Sequence, residues 1–124
     1  MDKPRDLGRR TKEFALRVIR LVTALQRTPV AAVVGRQLLR SGTAVGANYR
    51  EALRSRSKSE YAAKMNIGLM ELEESSYWLE LLDEGRISTG AEVKALHAEA
   101  NELSAIFVSM IRKAGLGANS AGKF

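Results

Sequence analysis

Between Ser57 and Gly85 the chain repeats one spacing so steadily that it limits what the whole can fold into. Tyr61, Met65, Gly68, Leu72, Ser75, Leu79 and Leu82 follow one another at intervals of four and three residues, the return of one face of an α-helix. Ser57 followed three residues later by Glu60 is a capping box, and Gly85 is a stop signal. The spacing therefore predicts one helix of about 26 residues, roughly 39 Å long. An apolar side of that length needs other long helices to cover it. Two prolines and seven aromatic residues also favour helices over a β-sandwich.

The remaining boundaries follow the same logic. Thr28 and Pro29 make an N-cap and first-turn pair for a second helix reaching about Ser55. Thr89 with Glu92 caps a fourth, which Gly115 ends. The first helix runs from about Leu7 to Gln26, with Phe14, Val18, Leu21, Val22 and Leu25 on one side and Arg9, Arg20 and Arg27 on the other. The fourth carries Val93, Leu96, Ala100, Leu103, Phe107 and Met110 at helical spacing. Short connections from the second helix onward predict an all-α, antiparallel up-down-up-down four-helix bundle. Residues 1–114 form this single domain, of a size that buries about two-thirds of its unfolded surface. Residues 115–124, rich in Gly, Ala and Ser, read as a disordered tail.

The third helix has a second apolar stripe, Ala63, Ile67, Met70, Tyr77, Trp78 and Leu81, on nearly the opposite side. A helix apolar on two faces is covered on both, and four helices leave the outer face without an intramolecular neighbour. Ile67, Met70, Tyr77, Trp78 and Leu81 are accordingly expected at a homo-oligomer interface. The alternative is that Tyr77 and Trp78 wrap around the edge of one bundle.

The net charge of +6 is unevenly distributed. Residues 1–64 hold fifteen Lys/Arg against five Asp/Glu, giving +10, and residues 65–124 hold five against nine, giving −4. The basic half attracts polyanions, which makes RNA or DNA a candidate partner. Within it, Arg36, Arg40, Thr43, Ala47, Arg50 and Arg54 fall inside an arc of about 80° at 100° per residue. Arg56 and Lys58 carry the charge into the following turn. Guanidinium forks match phosphate oxygens and stay charged at any relevant pH, so Arg36, Arg40, Arg50, Arg54, Arg56 and Lys58 form a candidate phosphate-binding line without a sequence code. The competing reading pairs these cations, within the chain or across subunits, with the helix-three carboxylates Glu71, Glu73, Glu74, Glu80, Asp83 and Glu84.

The opposite face of the second helix holds Val34, Leu38, Ser41, Val45, Asn48 and Ala52, flanked by Gly35, Gly42 and Gly46. Glycine costs about 1 kcal/mol in a helix relative to alanine, so three of them require a close helix approach or a local break near residues 41–46. Ser41 and Asn48 are expected to be structural polar residues, with Asn48 bonding across helices or subunits.

No catalytic site is expected. With no cysteine, thiolate nucleophiles, thiolate metal sites and disulfides are excluded, in keeping with a reducing cytoplasm. The single His97, beside Lys94 and Asn101, lacks a second histidine and is read as an ordinary histidine rather than a general base or ribonuclease residue. The carboxylates lack a Glu-x-x-His partner, and no Gly-rich phosphate loop occurs. No metal or other cofactor is expected. The charged start of the chain and the absence of an apolar stretch near roughly 20 residues indicate neither export nor membrane spanning.

The segment 37–87 resembles a bacterial four-helix-bundle family first noticed in intervening sequences of 23S ribosomal RNA genes, the likeness extending over about residues 12–112. Arg40-Ser41-Gly42, Val45-Gly46-Ala47-Asn48-Tyr49, the Ser57-to-Tyr61 turn and the run Glu73-to-Leu82 with Tyr77-Trp78-Leu79 carry it. Tyr49-Arg50-Glu51-Ala52 departs from a glutamate-glycine pair common in such relatives, and a tryptophan often found early in helix one is missing. The resemblance implies an antiparallel bundle assembling into a ring-like homopentamer. It also implies a distant similarity to the accessory protein of diversity-generating retroelements, which binds nucleic acid and a larger enzyme, a reverse transcriptase. The resemblance supplies no catalytic residues.

Overall fold

A computed structural model describes residues 6–115. It has four helices, α1 (Leu7–Thr23), α2 (Pro29–Leu53), α3 (Lys58–Glu84) and α4 (Ala91–Lys113), with no strand among the described residues. The predicted tail from residue 116 onward lies outside the described residues.

Side-chain pairs fix the helix directions. Arg10 meets Glu99 and Glu102, whereas Arg17 meets Glu92, so α1 and α4 run antiparallel. Arg40 meets Glu74 and Lys64 meets Glu51, which reverses α3 against α2. Asp83 with Lys94 and Glu80 with His97 reverse α4 against α3. Each helix packs on its neighbours in the chain, and α1 closes on α4, leaving α1 and α3 at opposite corners.

The core is apolar and fully enclosed, with Phe14, Leu38, Met65, Leu72, Leu79, Leu103 and Phe107 all at 0% exposure. Every member of the predicted core stripe of α3 is buried except Tyr61, which is half-buried. Tyr49 lies tilted against Phe107 with centroids 6.2 Å apart. A Cβ on Gly68 would come within 2.7 Å of Phe107 Cε2, so this glycine makes room for the ring.

The glycines of α2 have the same explanation. Cβ atoms on Gly35, Gly42 and Gly46 would come within 3.0–3.2 Å of Leu25, Val18 and Thr11. The three form a seam along which α1 approaches closely, and α2 continues without a break through residues 41–46. Ser41 adds a buried link to α3, its hydroxyl 2.8 Å from that of Ser75. Among the described residues of one chain, Asn48 bonds within its own helix and not across helices. Its Nδ2 donates to the Ala44 carbonyl one turn back in its own helix, at 2.9 Å.

The caps differ in detail from expectation. Thr28 and Ser57 accept from Ala31 N–H and Glu60 N–H as predicted, but the Glu60 carboxylate closes on the Arg56 N–H, not on that of Ser57. Helix α1 stops at Thr23, three residues early, and α2 stops at Leu53. At the end of α3 the left-handed residue is Arg86, with φ 58°. Ile87 N–H reaches back to Leu82 and Arg86 N–H to Asp83, a Schellman closure. Gly85 serves by its size, because a Cβ there would lie 2.7 Å from the Leu81 carbonyl. Gly90 replaces Thr89 as the N-cap of α4, without a side-chain bond, and Glu92 turns to Arg17.

Candidate nucleic-acid interface

Helix α2 buries its Leu38–Val45–Ala52 side and its glycine seam, so the remaining arc faces outward. Arg36, Arg40, Arg50 and Arg54 are all exposed along it, and Arg56 and Lys58 are exposed in the turn that follows. The predicted line therefore exists as a surface feature, but its members are not equivalent.

Arg40 is committed within the chain. Its guanidinium donates to Glu74 at 2.6 Å and to Glu71 at 3.4 Å. These partners raise its pKa, the Glu74 bond contributing most. The same bond holds the Glu74 carboxyl below its ordinary range, helped by a second one from the Trp78 indole N–H at 3.0 Å. Arg40 thus belongs to an Arg40–Glu74–Trp78 brace across α2 and α3, which sets it apart from the other members of the expected line.

Arg36, Arg50, Arg54, Arg56 and Lys58 have no side-chain ion pair among the described residues. The nearby carboxylates are engaged elsewhere. Glu51 accepts from Lys64 at 2.8 Å, which raises the lysine pKa, and Glu60 is held at the Arg56 N–H. Arg50 stands at the rim of a groove of about 310 Å³ between α1 and α2, beside Lys12, Thr43 and Ala47. The bundle also brings in two cations that helical spacing within α2 could not reveal. Arg112 and Lys113, exposed in the last turn of α4, arrive at the same end, where a Cβ on Gly115 would lie 4.0 Å from Lys58 Nζ.

The second stripe of α3 divides. Ile67, Met70 and Tyr77 are 41%, 58% and 52% exposed. Trp78 and Leu81 are half-buried, and the Trp78 ring meets that of Tyr77 edge-on with centroids 5.1 Å apart. Trp78 is thus partly satisfied inside one chain, as the edge-wrapping alternative supposed. Val30 and Val33 on α2 are also exposed, at 59% and 52%, and lie outside the pattern read within α3.

His97 lies between α3 and α4 with Nε2 3.0 Å from Glu80 and Asn101 within 3.4 Å of Nδ1. No group of three or more potential ligands among the described residues is disposed to hold a metal ion.

A profile of the 23S rRNA-intervening sequence proteins matches residues 6–109, which span all but the last turn of this bundle. The chain belongs to the 23S rRNA-intervening sequence protein family. Among solved structures it is similar to a protein of unknown function from the S23 ribosomal protein family of Bacteroides thetaiotaomicron VPI-5482, determined at 1.70 Å. The two are 34% identical with a TM-score of 0.79, over 85% of this chain and 97% of that one. No curated protein matches. Family membership accounts for the four-helix architecture, and no helix among the described residues is long and apolar enough to cross a membrane.

Proposed function

We propose that this chain is a non-catalytic, oligomeric bundle that holds RNA or DNA by its phosphate backbone, through Arg36, Arg50, Arg54, Arg56 and Lys58. The observation that carries the reading is that these five exposed cations have no ion-pair partner among the described residues although α3 alone carries seven acidic residues. A line of free guanidinium groups on a rigid helix matches a phosphate repeat by charge and donor geometry, with no preference among bases. The bundle serves as a homopentamer and as an accessory to a larger nucleic-acid enzyme in the cytoplasm. The exposed apolar residues of α3 support self-association. The competing scaffold reading neutralises these arginines with α3 carboxylates at subunit contacts; within one chain, among the described residues, Arg40 alone of the line is paired with α3.

Fluorescence anisotropy with labelled single- and double-stranded RNA and DNA, repeated across a salt series, tests the proposal. Binding should weaken steeply as salt rises. A binding constant indifferent to salt, or no binding at low salt, would remove the nucleic-acid reading, and sedimentation of the native protein as a monomer would remove the oligomer.

A further inference from the structure

Opposite corners of the bundle carry opposite charge. Helix α1 holds five basic residues against one acidic, giving +4, and α3 holds two lysines against seven acidic residues, giving −5. Arg10, Arg17 and Arg20 on the one and Glu71, Glu74, Glu80 and Asp83 on the other are paired within the chain, so the margins are set by the residues left over. Each corner also presents an outward line at alternating four- and three-residue spacing. On α1 the line is Lys12, Leu16, Ile19 and Thr23, with Leu16 37% and Ile19 40% exposed. On α3 it is Ile67, Met70, Glu74, Tyr77 and Leu81. At the margins, Lys12 on α1 and Glu73 and Glu84 on α3 have no partner among the described residues.

We infer that a second copy of this chain docks its α1 corner on the α3 corner of the first, a head-to-tail contact between two different surfaces. The inference rests on the oligomer reading above and names the surface that receives α3. Matching spacings let the two lines mesh as neighbouring helices do. Opposite corner charges favour this pairing and disfavour α3 against α3, which would set two acidic faces together. Because the corners lie diagonally across one bundle, each copy offers a free donor and a free acceptor surface, so the contact propagates until it closes. The outward face of α2 stays uncovered, and the cation lines of successive copies share one side.

Complementation in the analytical ultracentrifuge tests this. Ile19→Glu and Met70→Glu change exposed positions, and Leu16→Glu repeats the first with a different side chain; circular dichroism checks that each variant keeps its helices. Each variant alone should run as a monomer, and an equimolar mixture of Ile19→Glu with Met70→Glu should run at twice the monomer mass, one sound contact remaining. Assembly of both α1 variants like the native protein would overturn the inference, as would a mixture that stays monomeric. Native protein that is itself monomeric would remove the oligomer reading beneath it.

Discussion

The two halves of the outward face of α2 carry the same residue type at the same spacing and differ in what stands beside them. In the first half, Arg40 is gripped by Glu71 and Glu74. In the second, Arg50 and Arg54 are free among the described residues, as are Arg56 and Lys58 beyond the helix. The antiparallel pairing of α2 with α3 produces the contrast. It places the carboxylate-rich second half of α3 beside the start of α2, and leaves the end of α2 facing a stretch whose charges before Glu71 are Lys58, Glu60 and Lys64. Arginine spacing alone does not distinguish a brace from a binding line; the register of the neighbouring helix does.

The strongest way to break the comparison is to reverse charge in the free half. Arg50→Glu combined with Arg54→Glu should lower affinity for RNA or DNA by on the order of 100-fold at low salt, measured by anisotropy, with the helical circular dichroism retained. In the braced half, Arg40→Ala should change affinity by less than about threefold and instead lower stability to urea by about 0.5 kcal/mol, a value kept small because the pair is largely solvated. Glu51→Gln sharpens the contrast from the other side. It removes the acidic residue between Arg36 and Arg56 and releases Lys64, so affinity should rise by about two- to threefold.

The smallest effect is a pH dependence. The Glu74 carboxyl is held below its ordinary range by Arg40 first and by Trp78 second. Its contribution to stability is therefore present above the unfolded-state pKa and is lost as pH falls through the lower folded-state value. Trp78 is the sole tryptophan, and its emission should report the protonation of its acceptor. The emission midpoint should lie below the usual carboxylate range in the native protein and move up toward it in Arg40→Ala.

Much of the fold was legible because caps and apolar periodicity are local. Thr28 and Ser57 announce the starts of α2 and α3, and the four-three stripe of α3 gives its buried side almost residue for residue. The misreadings have one physical origin, competition from groups distant in sequence. Glu92 leaves the expected cap for Arg17, and Gly90 begins α4 instead. Arg10, on a helix read as apolar against basic, is 7% exposed because α4 brings Glu99 and Glu102 to it. The cation line was visible as an arc on α2, but which members were free depended on α3, and Arg112 and Lys113 joined the same end only through the bundle.

The salt dependence of binding, compared between single substitutions, tests the division of the line most directly. Plotting the logarithm of the binding constant for duplex DNA against that of salt counts the phosphate contacts, at about 0.9 per contact. Arg50→Gln and Arg54→Gln should each reduce the slope by about that amount, whereas Arg40→Gln should leave it unchanged. Equal reductions for all three, or none for any, would contradict the claim that the unpaired arginines of α2 hold the polyanion and the braced Arg40 does not.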